Sequence, residues 1–255
     1  MADRARVARV ARVIGSYISP YVRKVLVCLD HKGIAYEIDP IVPFFGDERF
    51  SELSPLRRVP VWIDDRVTLA DSSVICQYLE DRHPEPRFYP RDVADRARAR
   101  WLEEFADTRL GDLLIWRLFN QLAIRPRVFE EPPDEAVVKQ ALEVEIPGAL
   151  DYLEGQLPGG GFCFGELSIA DVSIACFFRT ASFARFRLDA GRWPRTAAFV
   201  DRVLALPSFQ RLATLEDAML RTRIPQQREM LRGLGAPIAA ETLAAAAPRR
   251  GIMPI

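Results

Sequence analysis

The chain has little of what builds metal centres and cystine frameworks. Two histidines (His31 and His83) and four cysteines (Cys28, Cys76, Cys163 and Cys176) are spread over 255 residues, and no two cysteines form a CxxC pair. A zinc site or disulfide scaffold has nothing to gather around, so no metal is expected and a reducing cytoplasm is the default compartment. Net charge is missing as well: Lys+Arg and Asp+Glu both number 35. That balance draws the chain toward neither nucleic acid nor an anionic membrane. No apolar run approaches the roughly 18 residues that span a bilayer. The opening MADRARVARVARVIG lacks the apolar core of about 7–15 residues that a secretory signal requires, and residues 1–10 read as an N-terminal arm. A GxSxG elbow is absent and neither histidine sits in a triad context, which excludes serine-hydrolase chemistry.

What is present is a globular composition, 49% hydrophobic and 27% charged. Over residues 11–88 strand and helix signals alternate. Residues 12–15 read as a short strand. Val22, Val25, Leu26 and Leu29 then fall at i, i+3, i+4 and i+7, with Pro20 suited to a first helical turn and Gly33 to the position past the end. Residues 34–41 alternate as a second strand. Residues 61–63 and 67–69 flank the polar turn Asp64-Asp65-Arg66 as a hairpin, and a helix over 71–82 ends at His83-Pro84. Residues 91–222 carry almost only helical signals: 91–123, 134–156, 169–183, 195–206 and 208–222. The fold class is therefore α/β followed by all-α, two domains in one chain. Residues 223–255 form a tail of weak periodicity, either disordered or wrapped over the helical domain.

Four short motifs are chemically suggestive. Ser19, before Pro20 at the start of the first helix, sits beside unpaired N–H groups and the positive end of the helix dipole; it serves either as a cap or as a donor to an anion. Val59-Pro60 opens a strand either as an ordinary edge proline or as a cis bond that presents the Val59 main chain to a ligand. Asp71 and Ser72 open the third helix, where they cap it or together hold the amine and carboxylate of an α-amino acid. Ser168 and Asp171 have the spacing of a capping box, a structural role.

In order, SPYVRKVLVCLDHKGI, SPLRRVPVWIDD, TLADSSVICQYLEDRHP and LSIADVSIACFF resemble the cytosolic glutathione S-transferase superfamily across about residues 11–215, in a serine-type, bacterial form. The resemblance implies a thioredoxin-like N-terminal domain that binds glutathione and an all-helical C-terminal domain that shapes the second-substrate pocket. It makes Pro60 the cis-proline, with Val59 holding the cysteinyl unit, Asp71 and Ser72 holding the γ-glutamyl group, and Arg58 near the glycyl end. It makes Ser19 the residue that activates the thiol, with Tyr17 and then Ser16 as fallbacks. Tyr21, Trp116 and Phe119 are candidates for the apolar walls of the second pocket, or else core, and the tail from Arg223 is a candidate cover for it. The implied activity is transfer of glutathione to a small, mostly apolar electrophile in detoxification, by a cytoplasmic homodimer. Reductase, peroxidase or isomerase activity on the same scaffold is the alternative, and a non-catalytic binding or regulatory protein is the alternative of another class. The absence of a CPYC site argues against dithiol chemistry, and the paired serines and following cysteine of the zeta-type isomerases are absent too.

Overall fold

The computed structural model describes residues 10–250. It divides into two compact units, one holding the chain up to Arg82 together with residues from Thr214 onward, the other His83–Ala213.

The first unit opens with β1 (Ala11–Ile14), α1 (Pro20–His31) and β2 (Tyr36–Asp39), continues through a 3-10 turn (Pro43–Phe45) and α2 (Glu48–Leu53), and closes with β3 (Val61–Ile63), β4 (Thr68–Leu69) and α3 (Ser72–Arg82). The sheet order is β2-β1-β3-β4, with β1 parallel to β2 and antiparallel to β3, in the register Val13 to Ile38 and Trp62. This is the thioredoxin-like arrangement of a mixed four-stranded sheet. The apolar stripe of α1 is buried as its spacing requires: Val22, Val25, Leu26 and Leu29 are at most 1% exposed. Each such side chain contributes roughly 1.5–3 kcal/mol of burial. The second strand is shorter than its alternating pattern suggests. The Ile34 N–H is spent on the Leu29 carbonyl at the end of α1, and the Ile41 N–H turns back to Asp39.

The second unit is all-helical: α4 (Val93–Phe105), a wider-wound stretch (Ala106–Ile124), α5 (Arg125–Val128), α6 (Glu135–Gln140), a second wide turn (Ala141–Glu145), α7 (Ile146–Gln156), α8 (Ile169–Phe183) and α9 (Pro194–Leu204). In the wide stretches the bonds reach five residues back, as from the Arg125 N–H to the Asn120 carbonyl. Helix α8 is the central element, with twelve of its fifteen residues buried. Helix α10 (Pro207–Arg221) contains the boundary between the units.

Within the tail, residues 224–233 form α11, and the described chain from there to residue 250 groups with the first unit. The Ile38 N–H donates to the Pro237 carbonyl at 2.8 Å and the Ala239 N–H to the Ile38 carbonyl at 2.9 Å, so the tail runs parallel along the outer edge of β2. An open sheet edge presents unpaired main-chain groups that any extended segment can satisfy. Such pairing needs no side-chain period, which is why the Ala-rich tail gave no sign of it. The N-terminal arm lies outside the described residues, apart from Val10.

Candidate active site

The turn between β1 and α1 carries Ser16, Tyr17 and Ser19. Ser19 is the N-cap of α1; its Oγ accepts the Val22 N–H at 3.4 Å and it remains half-buried. Ser16 is 3% exposed, with its Oγ accepting the Ile18 N–H. Tyr17 is 1% exposed, and burial, reinforced by the neighbouring Tyr36, pushes its phenol far above the ordinary tyrosine value. Of the three, only the Ser19 hydroxyl combines access to solvent with the positive end of a helix of three turns.

Gly15 brings a second segment to this turn. Its φ is +147°, and a Cβ there would stand 2.5 Å from Val22 Cγ2 and 2.9 Å from the Val59 Cβ. Only a residue without a side chain lets the first turn of α1 and the Val59 loop close on the same strand end. The Val59–Pro60 bond is cis. No described residue takes up the Val59 N–H or carbonyl. Arg58 beside it is exposed at its side chain, while its main chain is held both ways by Ser54: the Arg58 N–H donates to the Ser54 Oγ at 3.0 Å, and that hydroxyl donates to the Arg58 carbonyl at 2.9 Å.

The third segment is the start of α3. Asp71 is exposed, and its Oδ1 accepts the Ser73 and Val74 N–H groups at 2.9 and 3.0 Å. Ser72 is 4% exposed and its hydroxyl meets no partner among the described residues. The buried Lys24 of α1 donates from Nζ to the Ser73 Oγ at 3.0 Å, tying α1 to this helix start. Three helix or strand openings, each with polar main-chain groups, are thus gathered about the N-terminal half of α1.

Tyr21 is half-buried in α1, whereas Trp116 and Phe119 lie in the wide stretch of the other unit. Trp116 is half-buried; Phe119 is 8% exposed and packs edge-on to Phe183 at 6.2 Å. The box at Ser168 and Asp171 is formed, with the Ser168 N–H and hydroxyl donating to Asp171 Oδ2 at 2.9 and 2.6 Å. The buried Asp171 has a further arm: Oδ1 accepts the Cys163 N–H at 2.8 Å, pinning the loop before α8. Burial, with Asp171 next to it, raises the Cys163 thiol well above its ordinary value, so it is no thiolate nucleophile. All four cysteines are unpaired as disulfides, and the described residues contain no group of three or more metal-ligating side chains.

Sequence reasoning missed the supports behind the site. Arg23, fully buried, donates to Glu216 of α10 at 2.5 Å and to the Tyr17 and Ile18 carbonyls at 3.5 and 3.4 Å. It thereby braces the turn before Ser19. A partner 193 residues away leaves no local signal; only a charged side chain inside the apolar face of α1 hints at one.

Comparison with known proteins agrees with this geometry. Residues 13–87 match the glutathione S-transferase N-terminal domain and residues 135–202 the C-terminal domain. The chain is 31% identical to the maleylacetoacetate isomerase of Rattus norvegicus, over 73% of this chain and 84% of that protein. It is 28% identical to the GST-like protein YibF of Escherichia coli K12, over 78% of this chain and 96% of that protein. The glutathione S-transferase of Methylobacterium radiotolerans, solved in complex with glutathione sulfonate, superposes with a TM-score of 0.66 at 27% identity, covering 79% of this chain and 93% of that one. The fold is that of the glutathione transferases, two domains of which the first is thioredoxin-like. The chain belongs to the cytosolic glutathione S-transferase superfamily.

Proposed function

We infer that the chain is a serine-type glutathione transferase, in which Ser19 turns the glutathione thiol into a thiolate that attacks a small, mostly apolar electrophile. The observation that carries this reading is the convergence at Gly15, which sets the capped start of α1 against the unpaired main chain of Val59. A free thiol has a pKa near 8.5 and is mostly protonated at neutral pH. A helix N-terminus and a hydroxyl donor both favour the charged sulfur. Ser19 receives the Val22 N–H on a lone pair and keeps its own proton for the thiolate, so it never becomes the covalent nucleophile.

The tripeptide has groups suited to the rest. Its cysteinyl N–H and C=O match the Val59 main chain. Its γ-glutamyl amine matches the Asp71 carboxylate, and the γ-glutamyl carboxylate the Ser72 hydroxyl and the α3 N-terminus. Its glycyl carboxylate suits the exposed Arg58. Tyr21 in the first unit remains a candidate contact for the electrophile, and Trp116 and Phe119 remain candidates within the second. Homodimerisation, a cytoplasmic location and a role in detoxification belong to the same reading.

Isomerisation is the second reading, favoured by the 31% identity to a maleylacetoacetate isomerase. There the thiolate adds to the substrate and leaves again. Reduction of mixed disulfides is disfavoured because a hydroxyl stands at residue 19 where a thiol is needed. Calorimetric titration with reduced glutathione tests the site: saturable binding at millimolar concentration or tighter is expected, and its absence points to a non-catalytic partner-binding protein. Product analysis with electrophiles, cis-trans isomerisable dienes, peroxides and mixed disulfides then separates the activities.

A further inference from the structure

The superfamily domains matched in this chain end at residue 202, and the two curated relatives, though 96% and 84% covered themselves, account for only 78% and 73% of it. The C-terminal segment is nevertheless bonded into the first unit at points from Arg228 to Arg249. The buried Asp39 at the end of β2 accepts Arg228 Nη1 of α11 at 2.7 Å, the Thr242 hydroxyl at 2.9 Å and the Leu243 N–H at 2.7 Å. Further on, the segment follows residues 44–47. The Asp47 N–H donates to the Leu243 carbonyl at 2.8 Å, the Ala245 N–H to the Phe45 carbonyl at 2.5 Å, and the Arg249 N–H to the Phe44 carbonyl at 2.7 Å.

The same stretch is gripped by Arg57. Its Nη2 donates to the Gly46 carbonyl at 2.8 Å and to the Pro43 carbonyl at 3.4 Å, its Nη1 to the Ser51 hydroxyl at 2.5 Å. Arg57 has φ +52°, a left-handed conformation that costs any residue with a side chain, and it stands two residues before Val59. Its side-chain hold on 43–51 joins the main-chain hold of Ser54, whose carbonyl accepts the Arg57 N–H at 2.7 Å, in keeping the turn in that conformation.

We propose that the C-terminal segment and Arg57 position the glutathione-binding loop. The tail sets residues 44–47, the Gly46 carbonyl among them sets the Arg57 guanidinium, and Arg57 sets the turn from which Arg58 and Val59 meet the tripeptide. Neither the tail nor Arg57 touches substrate; both are positioning elements. A two-bond main-chain pairing tolerates little displacement, and an error of about 1 Å is enough to weaken it severely. The proposal rests on the reading of Val59 and Arg58 as glutathione contacts.

The test uses the full chain, Arg57→Ala, Ala245→Pro, which removes the donor to the Phe45 carbonyl, and a chain ended after Ala236, which retains α11 and the Arg228–Asp39 pair. Glutathione KM is expected to rise about tenfold in each variant, with the electrophile KM within about twofold. Amide exchange of Arg57 and Arg58, both bonded to Ser54, is expected to accelerate while that of α1 does not. A brace for stability alone would lower the melting temperature and the folded fraction, hence the maximal rate, and leave glutathione KM where it was; that result overturns the proposal. Unchanged exchange at Arg57 and Arg58 overturns it whatever glutathione does. If exchange accelerates but the unaltered chain binds no glutathione, the glutathione reading falls and the coupling of tail to loop stands.

Discussion

A serine hydroxyl has one proton and two lone pairs, so the cap at Ser19 and the donor to a thiolate do not compete. Ser19→Ala removes both, but the cap is worth only about 1 kcal/mol. The expected outcome is a turnover lower by roughly 10²-fold with glutathione KM within about threefold, the pattern of a lost transition-state donor. Steady-state kinetics with glutathione varied decides it, and an unchanged turnover removes Ser19 from its role. Asp71 is open to a similar separation. Asn caps a helix about as well as Asp, so Asp71→Asn keeps the bonds to the Ser73 and Val74 N–H groups and removes only the charge. Glutathione affinity should fall about tenfold while the melting temperature holds; equal losses in both would make Asp71 a cap and nothing more. The sequence showed these residues because caps and helix starts are local. It ranked Ser19 ahead of Tyr17 and Ser16 only through the resemblance; their different burial is a property of the packed chain.

Elements meet through contacts that their own sequences do not announce. Gly15 is the hinge of the site: Gly15→Ala forces a Cβ into Val22 and Val59 at a φ that side chains rarely adopt. A loss of about 1–3 kcal/mol in urea unfolding is expected, partly recovered by Val22→Ala, which removes the nearer clash. Full tolerance of Gly15→Ala would show that the two segments are not pressed together there. Asp64 performs the corresponding service for the hairpin and α3. Burial alone would raise its carboxyl, but the Arg66 N–H, the Tyr78 hydroxyl, the Val67 N–H and the Trp62 indole hold it down at about 2, and Arg82 approaches at 2.6 Å. A carboxyl depressed in the folded state contributes stability that is complete above its ordinary value near 3.9 and is lost as pH falls toward 2. Stability should therefore decline between about pH 4 and pH 2, and Asp64→Asn should flatten part of that decline in acid titrations of the unfolding midpoint. Helix α9 illustrates a signal out of reach: its own N-cap, Trp193, makes no side-chain bond to the helix start, and Glu154 of α7 accepts the Arg195 and Thr196 N–H groups instead, both at 2.9 Å.

For the whole molecule, the alternation of periods was enough to separate an α/β part from a helical part, and the four ordered motifs were enough to recognise the superfamily. Hydrophobic spacing is written residue by residue, and the cis-proline, the two helix starts and the reciprocal cap at Ser168 are each carried by a few adjacent positions. The placement of the tail is not legible at this scale. Its contacts are main-chain pairs with β2 and with residues 44–47, which constrain no side-chain pattern, and a charge, Asp39, matched by Arg228 across 189 residues. The sequence by itself determined most of the helices and strands up to residue 222, and which short motifs carry the caps and main-chain groups proposed to meet glutathione. Only the tertiary structure decided which hydroxyl stays reachable, where the buried Arg23 and Asp39 find their opposite charges, and which unit α11 and the tail complete. The reason is physical: local pattern encodes conformation and burial tendency, whereas pairing between distant segments is selected by the packed chain, where an unpaired buried group costs too much to persist.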